Sequence, residues 1–181
     1  MRSQIMKLGV TLLVVGLVAA VGLGLTYTVT KKKIEAYDNQ VEAKAAVAAL
    51  PGVKSVSELK EDAQLEAKVR DIDGVEKVFR SEKGYIFKVN TKGYGGPLVL
   101  AVGVDLQGKV VGVAVVTSKE TVGLGGKVLE DENLKMWLGK TSKDKLAVGQ
   151  DIQAVTGATI TSKAVNGQVK KALQAYRRIT Q

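Results

Sequence analysis

The chain contains no cysteine and no histidine. Without thiolates there is no ligand set for an iron–sulfur cluster or a zinc ribbon. Without imidazole there is no haem histidine and no Ser-His-Asp triad. Disulfides are excluded too, so cysteine usage says nothing of the compartment. Any redox role therefore calls for an organic cofactor, and no metal site is expected. Aromatic residues make up only 4% of the chain, too few for a platform on which bases stack.

What is there in excess is positive charge, formally +9. Five of the basic residues, Arg2, Lys7, Lys31, Lys32 and Lys33, flank one apolar run. Taking these five from the 27 basic residues leaves 22 against 18 acidic ones, a mild excess. No basic helix or RNA-binding signature accompanies it, so nucleic acid is not the expected partner.

The apolar run covers residues 8–30, LGVTLLVVGLVAAVGLGLTYTVT, and carries no charge. About twenty such residues cross a bilayer core as a helix. A cleaved signal peptide has a shorter apolar stretch followed by a small-residue site, and no such site follows here. Residues 1–30 are therefore expected to form an uncleaved single-pass anchor. Basic residues stand on both flanks, so charge alone gives no orientation. Residues 31–51 keep helical composition, with Ile34, Tyr37, Val41 and Ala45 at helical spacing, up to the stop signal Pro51-Gly52. They are expected to form a helical stalk, leaving residues 52–181 as one domain.

Within that domain, residues 53–80 alternate short helical and extended signals, with a turn at 71–74 and extended pattern from Val75 onward. The valine-rich runs 96–105 and 109–118, joined by a short glycine-containing loop, predict a hairpin. Next comes KETVGLGGKV (119–128), where Gly123, Gly125 and Gly126 let backbone approach a neighbour closely. It matches neither a P-loop nor a dinucleotide fingerprint. Residues 127–138 read as a helix with Val128, Leu134 and Trp137 or Leu138 inward. Residues 162–178 read as another, with a stripe of Val165, Val169, Leu173 and Tyr176. Strands and helices in blocks, with an antiparallel hairpin, predict an α+β fold.

Just ahead of the last helix lies AVTGATITSK (154–163), with hydroxyls at Thr156, Thr159, Thr161 and Ser162 around Gly157 and Ala158. Thr161 or Ser162 suits the helix N-cap, and Gly157 a turn. Thr156 and Thr159 are not explained by capping. A helix N-terminus offers open N–H groups and the positive end of a dipole, which suits a phosphate.

TGATITS resembles the [ST]-G-A-T-x-[ST] motif of FMN-binding domains whose flavin is joined through its phosphate to the last threonine of [ST]-G-A-T. The segment KGYGGPLVLAVGVDLQGKVVGVAVVTSKETVGLGGK resembles the same family's GYGG, hairpin and ETPGLG regions. With one anchor helix ahead of it, the chain as a whole is similar to the G subunit of the Rnf complex, an ion-pumping assembly between ferredoxin and NAD. The resemblance implies a single transmembrane helix followed by an extracytoplasmic FMN-binding domain with an antiparallel sheet and flanking helices. It implies covalent FMN on Thr159, attached by a flavin transferase from FAD. Thr156, Gly157, Ala158 and Thr161 would complete the motif. Glu120, Thr121, Gly123, Leu124 and Gly125 would contact the cofactor from the glycine loop. The partners implied are the other membrane subunits of the complex.

Three positions depart from the family pattern. An aspartate ahead of the motif is Gln153 here, with Asp151 two residues earlier; the loop proline is Val122; and Ser118 stands near a usual histidine. The C subunit of the sodium-translocating NADH:quinone reductase shares the motif and the anchor but is typically longer. A bitopic adaptor without cofactor is the alternative of another class.

Overall fold

The computed structural model describes residues 2–181, apart from the side chains of residues 2, 3 and 32. It divides into two compact units, residues up to Gln40 and Val41–Gln181. The first helix, α1 (Arg2–Ala49), contributes to both.

In the first unit α1 is long and apolar enough to cross a membrane. Its leucines and valines are exposed from end to end. The hydroxyls of Thr11, Thr26 and Thr28 donate back to the carbonyls of Lys7, Gly22 and Leu25. A hydroxyl in hydrocarbon has no water to bond, and this internal pairing removes that penalty.

In the second unit the β-branched runs form a five-stranded antiparallel meander in chain order: β1 (Lys60–Glu61), β2 (Val75–Ser81), β3 (Gly84–Lys92), β4 (Pro97–Asp105) and β5 (Val110–Ser118). The valine-rich hairpin forms where the sequence placed it. Asp105 anchors its turn, accepting from the amides of Gln107 and Lys109. The remaining helices are α2 (Ala63–Val69), α3 (Gly125–Val128), α4 (Asp131–Leu134) and α5 (Thr159–Thr180). The α+β expectation holds.

Strand side chains alternate between two faces. One face carries Phe87, Leu98, Leu100 and Val102, packed against Val165, Val169, Ala172 and Leu173 of α5. The expected stripe is thus the buried one, with Tyr176 half-buried at its end. The other face carries Ile86 and Ala101, covered by Ala45, Ala46, Ala49 and Leu50. The segment read as a stalk over 31–51 therefore divides, and its second half belongs to the domain core. Gly103 and Gly112, paired across β4 and β5, make room for it. A Cβ on either would stand 1.9 or 2.3 Å from the Ala49 carbonyl oxygen.

Two sequence expectations are corrected. Residues 127–138 do not form one helix. Glu130 takes extended backbone (φ −68°, ψ 143°), separating α3 from α4, and residues Lys135–Trp137 tighten into a 3-10 turn. The bends bring Val128, Leu134 and Trp137 into the core together, whereas Leu138 is exposed. Thr161 and Ser162 are not the N-cap of the last helix. That helix begins earlier, at Thr159, with Ala158 in the cap position and no side chain capping it.

Candidate functional site

The four hydroxyls of AVTGATITSK have four different surroundings. Ser162 Oγ accepts from Val155 N at 3.4 Å and donates to the Ala158 carbonyl at 3.0 Å, closing the turn ahead of α5. Thr156 is exposed and does not line the cleft that opens at this end of the helix. Thr159 is exposed and lies on it. Thr161 also lies on the cleft, but it is buried, and its Oγ1 has no hydrogen-bond partner. Leaving a buried hydroxyl unpaired costs about 1–3 kcal/mol, so this atom marks the place on the cleft where a hydrogen-bonding ligand would be favoured. The other unpaired buried atom among the described residues, Gln168 Oε1, is not on the cleft; its amide nitrogen ties α5 to the carbonyls of Val89 and Leu98.

The cleft has a volume of about 360 Å³. One wall is the start of α5: Gly157, Ala158, Thr159, Ile160 and Thr161. The other is Tyr94 with Leu124 and Gly125. Gly157 turns the chain into the helix at φ +76°, a region that favours glycine. Because no side chain caps α5, the amides of Thr159, Ile160 and Thr161 make no hydrogen bond among the described residues. They stand at the positive end of a 22-residue helix, which is an anion site in the making.

Gly125 completes the recess. A Cβ there would sit 2.1 Å from Glu120 Oε2 and 2.7 Å from Thr161 Oγ1, so any larger residue would fill the space. The loop carrying it is closed by Leu124 N and Gly126 N, which both donate to the Thr121 carbonyl. Thr121 therefore contributes its backbone, and its side chain is exposed. Gly123 supplies the turn and does not line the cleft. Glu120 is neither a solvated loop charge nor a lining group. Its carboxylate accepts from Tyr94 N at 2.7 Å and Gly95 N at 3.3 Å.

Of the ten residues singled out from sequence, Gly157, Ala158, Thr159, Thr161, Leu124 and Gly125 meet on the cleft; Thr156, Glu120, Thr121 and Gly123 stand beside it. Two lining residues were missed. Ile160 sits inside TGATITS, and Tyr94 sits between glycines in GYGG, an aromatic residue placed where a turn needs none. Asp151 is committed elsewhere: its carboxylate accepts from the amides of Ala147 and Leu146 and lies 3.6 Å from Lys140. The Ala147 hydrogen bond is the largest influence, and it holds this carboxyl below its ordinary value. A larger groove near the β2–β3 turn, about 850 Å³, is lined by charges of both signs and receives no unpaired buried atom.

The recess, the unpaired hydroxyl and the open amides suit a phosphorylated ligand with an apolar body. Residues 93–174 match the FMN-binding domain family. The G subunit of the Na+-translocating ferredoxin:NAD+ oxidoreductase complex of Acetobacterium woodii is 32% identical, over 97% of this chain and 93% of its own. The chain belongs to the Rnf G-subunit family.

Two other members of this G-subunit family bracket the match. The G subunit of the proton-translocating ferredoxin:NAD+ oxidoreductase complex of Clostridium ljungdahlii is 36% identical over 62% of this chain and 66% of its own. The G subunit of the ion-translocating oxidoreductase complex of Haemophilus influenzae is 29% identical over 80% and 77%. Among solved structures, NqrC of Shewanella oneidensis matches with a TM-score of 0.43 at 20% identity, covering 74% of this chain and 72% of that one.

Proposed function

We propose that this G-subunit family member is a membrane-anchored flavoprotein that relays electrons through FMN bound covalently, via its phosphate, to Thr159. It would do so within an ion-translocating ferredoxin:NAD+ oxidoreductase complex. The observation that carries this reading is the start of α5, where an exposed threonine, three open amides and a buried unpaired hydroxyl face one recess.

Each group has a task there. The Thr159 oxygen is the attachment point. In the attachment step it forms a bond to the flavin-proximal phosphorus of FAD, the pyrophosphate P–O bond breaks, AMP leaves, and the hydroxyl proton is released. A flavin transferase would catalyse this. The amides of Thr159, Ile160 and Thr161 take the phosphate charge, and Thr161 Oγ1 donates the hydrogen bond it otherwise lacks. Gly157 and Ala158 bring the backbone close, and Gly125 keeps the recess open. Leu124 and Ile160 offer apolar surface to the ring. Thr156, Thr121 and Gly123 act through the turns that hold these groups, and Glu120 through its grip on the Tyr94 loop. Bound FMN supplies one- and two-electron chemistry at its ring, and the chain supplies binding and orientation. Covalent attachment removes the dependence of occupancy on free FMN, which is diluted outside the cytoplasm.

Residues 1–30 are assigned as the anchor and 31–51 as the helical connection. Residues 52–181, with 41–51 packed on their sheet, form the FMN-binding domain, which lies on the extracytoplasmic side and faces the other membrane subunits. The chain lacks cysteine, so sidedness is testable with one introduced thiol. Gln174→Cys, on the exposed side of α5, should react with a membrane-impermeant maleimide in intact cells. Protection until lysis would reverse the orientation.

The test of attachment is co-expression with an active flavin transferase. The wild type should gain the mass of FMN less water and give a fluorescent band on a denaturing gel. Thr159→Ala should show neither. A wild type that stays unmodified contradicts the reading.

A further inference from the structure

Tyr94 is 69% exposed, although it lies in a hydrogen-bonded turn between two glycines and lines the same cleft as the start of α5 with its open amides. It is the only aromatic side chain on that lining. The other rings of the domain are engaged elsewhere. Trp137 and Phe87 are fully buried in the core, Phe79 packs against the sheet's second face, and Tyr85 and Tyr176 contact each other with centroids 5.9 Å apart.

The chain commits a carboxylate to keeping this exposed ring's loop in place. Glu120 Oε1 accepts from the Tyr94 amide at 2.7 Å and Oε2 from the Gly95 amide at 3.3 Å. Gly93 N closes the turn by donating to the Gly96 carbonyl at 2.8 Å. The carboxylate fits only because two glycines, Gly93 and Gly125, flank it, and a third, Gly95, lets the loop pass close to the Lys119 backbone. A Cβ on Gly93 would stand 1.9 Å from Oε1, one on Gly125 2.1 Å from Oε2, and one on Gly95 would meet the Lys119 carbonyl at 2.1 Å. Glu120 thus joins the Tyr94 loop to the GLGG loop. Its own backbone is tied in turn, with Glu120 N donating to Ser118 Oγ at 3.0 Å.

We infer that Tyr94 forms the aromatic wall for the flavin ring, and that Glu120 is the positioning residue that holds it there. The inference rests on the FMN reading of the cleft. With the phosphate end assigned to the α5 amides, Tyr94 joins Leu124 and Ile160 as the apolar lining available to the ring, and it is the aromatic member of that set. Aromatic faces prefer offset stacking or edge contact with one another, which an exposed ring at a cleft wall can provide. Glu120 acts through backbone amides and not by touching the cofactor, which is why it is absent from the lining.

The test uses the full chain, flavinylated by an active transferase and purified in detergent, with intact mass and flavin fluorescence read on the same samples. A phenol in contact with an excited flavin quenches it by electron transfer. Tyr94→Leu should keep the adduct and raise the fluorescence per flavin severalfold, whereas Tyr94→Trp should keep it quenched. Because Tyr94 is exposed, neither change disturbs the core. Glu120→Gln places an amide N–H against a backbone N–H, and should raise the fluorescence while leaving the adduct. In Tyr94→Leu/Glu120→Gln the rise should be no larger than in Tyr94→Leu alone, since residues acting through one contact are not additive. A modified wild type whose fluorescence Tyr94→Leu leaves unchanged overturns this inference alone. Additive rises overturn the positioning role of Glu120. A wild type carrying no adduct overturns the flavin reading and this inference with it.

Discussion

The indole N–H of Trp137 donates to Oδ1 of Asn166 at 3.1 Å, in the interior between α5 and the segment after the glycine loop. The same side chain donates through Nδ2 to the carbonyl of Leu146, a buried residue held at a positive φ of 48°. One amide on α5 therefore secures both segments that flank the cleft helix. Asn166→Ala leaves a buried N–H and a buried C=O unpaired. With each such group costing about 1–3 kcal/mol, a loss of roughly 2–6 kcal/mol is expected. Thermal unfolding of the full chain in detergent measures it; an unchanged midpoint would mean that water replaces the side chain.

Gly103 and Gly112 lie under the Ala49 backbone, so alanine at either position must push residues 45–50 off the sheet. Overpacking of this kind costs typically about 1–3 kcal/mol. Gly167 is the control. It sits inside α5 with nothing within 4 Å of an added Cβ, and Gly167→Ala should stabilise by about 0.5–1 kcal/mol. Equal and small effects at all three positions would contradict the packing described.

Acid should loosen the same junction. Glu42 is buried on α1 among Lys88 at 2.6 Å and Lys77 at 3.1 Å, which are themselves paired with Glu76 and Glu61. Burial alone would raise this carboxyl, but the hydrogen bonds from Lys88 and Lys77 outweigh it and hold it below its ordinary value of 4.5. A depressed carboxyl contributes stability above its ordinary value and loses it as pH falls through its folded value. Unfolding midpoints should therefore fall below about pH 4.5. Glu42→Gln should be less stable at neutral pH and show a flatter acid limb. An identical acid limb in the variant would assign the loss to other carboxylates.

Thr161 separates capping from ligand binding. As an N-cap, its replacement by valine would cost about 1 kcal/mol. As an unpaired buried hydroxyl, Thr161→Val should leave the flavin-free chain as stable as before or up to about 1 kcal/mol more stable. The same variant should take up flavin more slowly in the presence of the transferase. A clear loss of stability without flavin would restore the capping role.

Much of this was readable in the sequence where signals are local. Valine-rich runs around a short glycine loop gave the β4–β5 hairpin, and the 165, 169, 173 stripe gave the buried face of α5. Contacts between distant small residues left no such trace. Ala45, Ala46 and Ala49 carry little apolar area, and nothing in the pattern links them to Gly103 and Gly112 some sixty residues away. The helix expected over 127–138 failed because burying Val128, Leu134 and Trp137 together needs a bend that periodicity does not register. At the cleft, the motif residues and the GLGG loop were visible. Tyr94 was missed because the carboxylate that holds its loop lies 26 residues away in sequence, and periodicity registers nothing of Glu120's hydrogen bonds to backbone amides.

The most direct measurement is the mass of the tryptic peptide covering residues 146–163, from protein purified out of its native membranes. If Thr159 carries the flavin, the peptide appears heavier by FMN less one water, and fragmentation places the addition on Thr159. A bare peptide, or an addition on Thr156, Thr161 or Ser162, would contradict it.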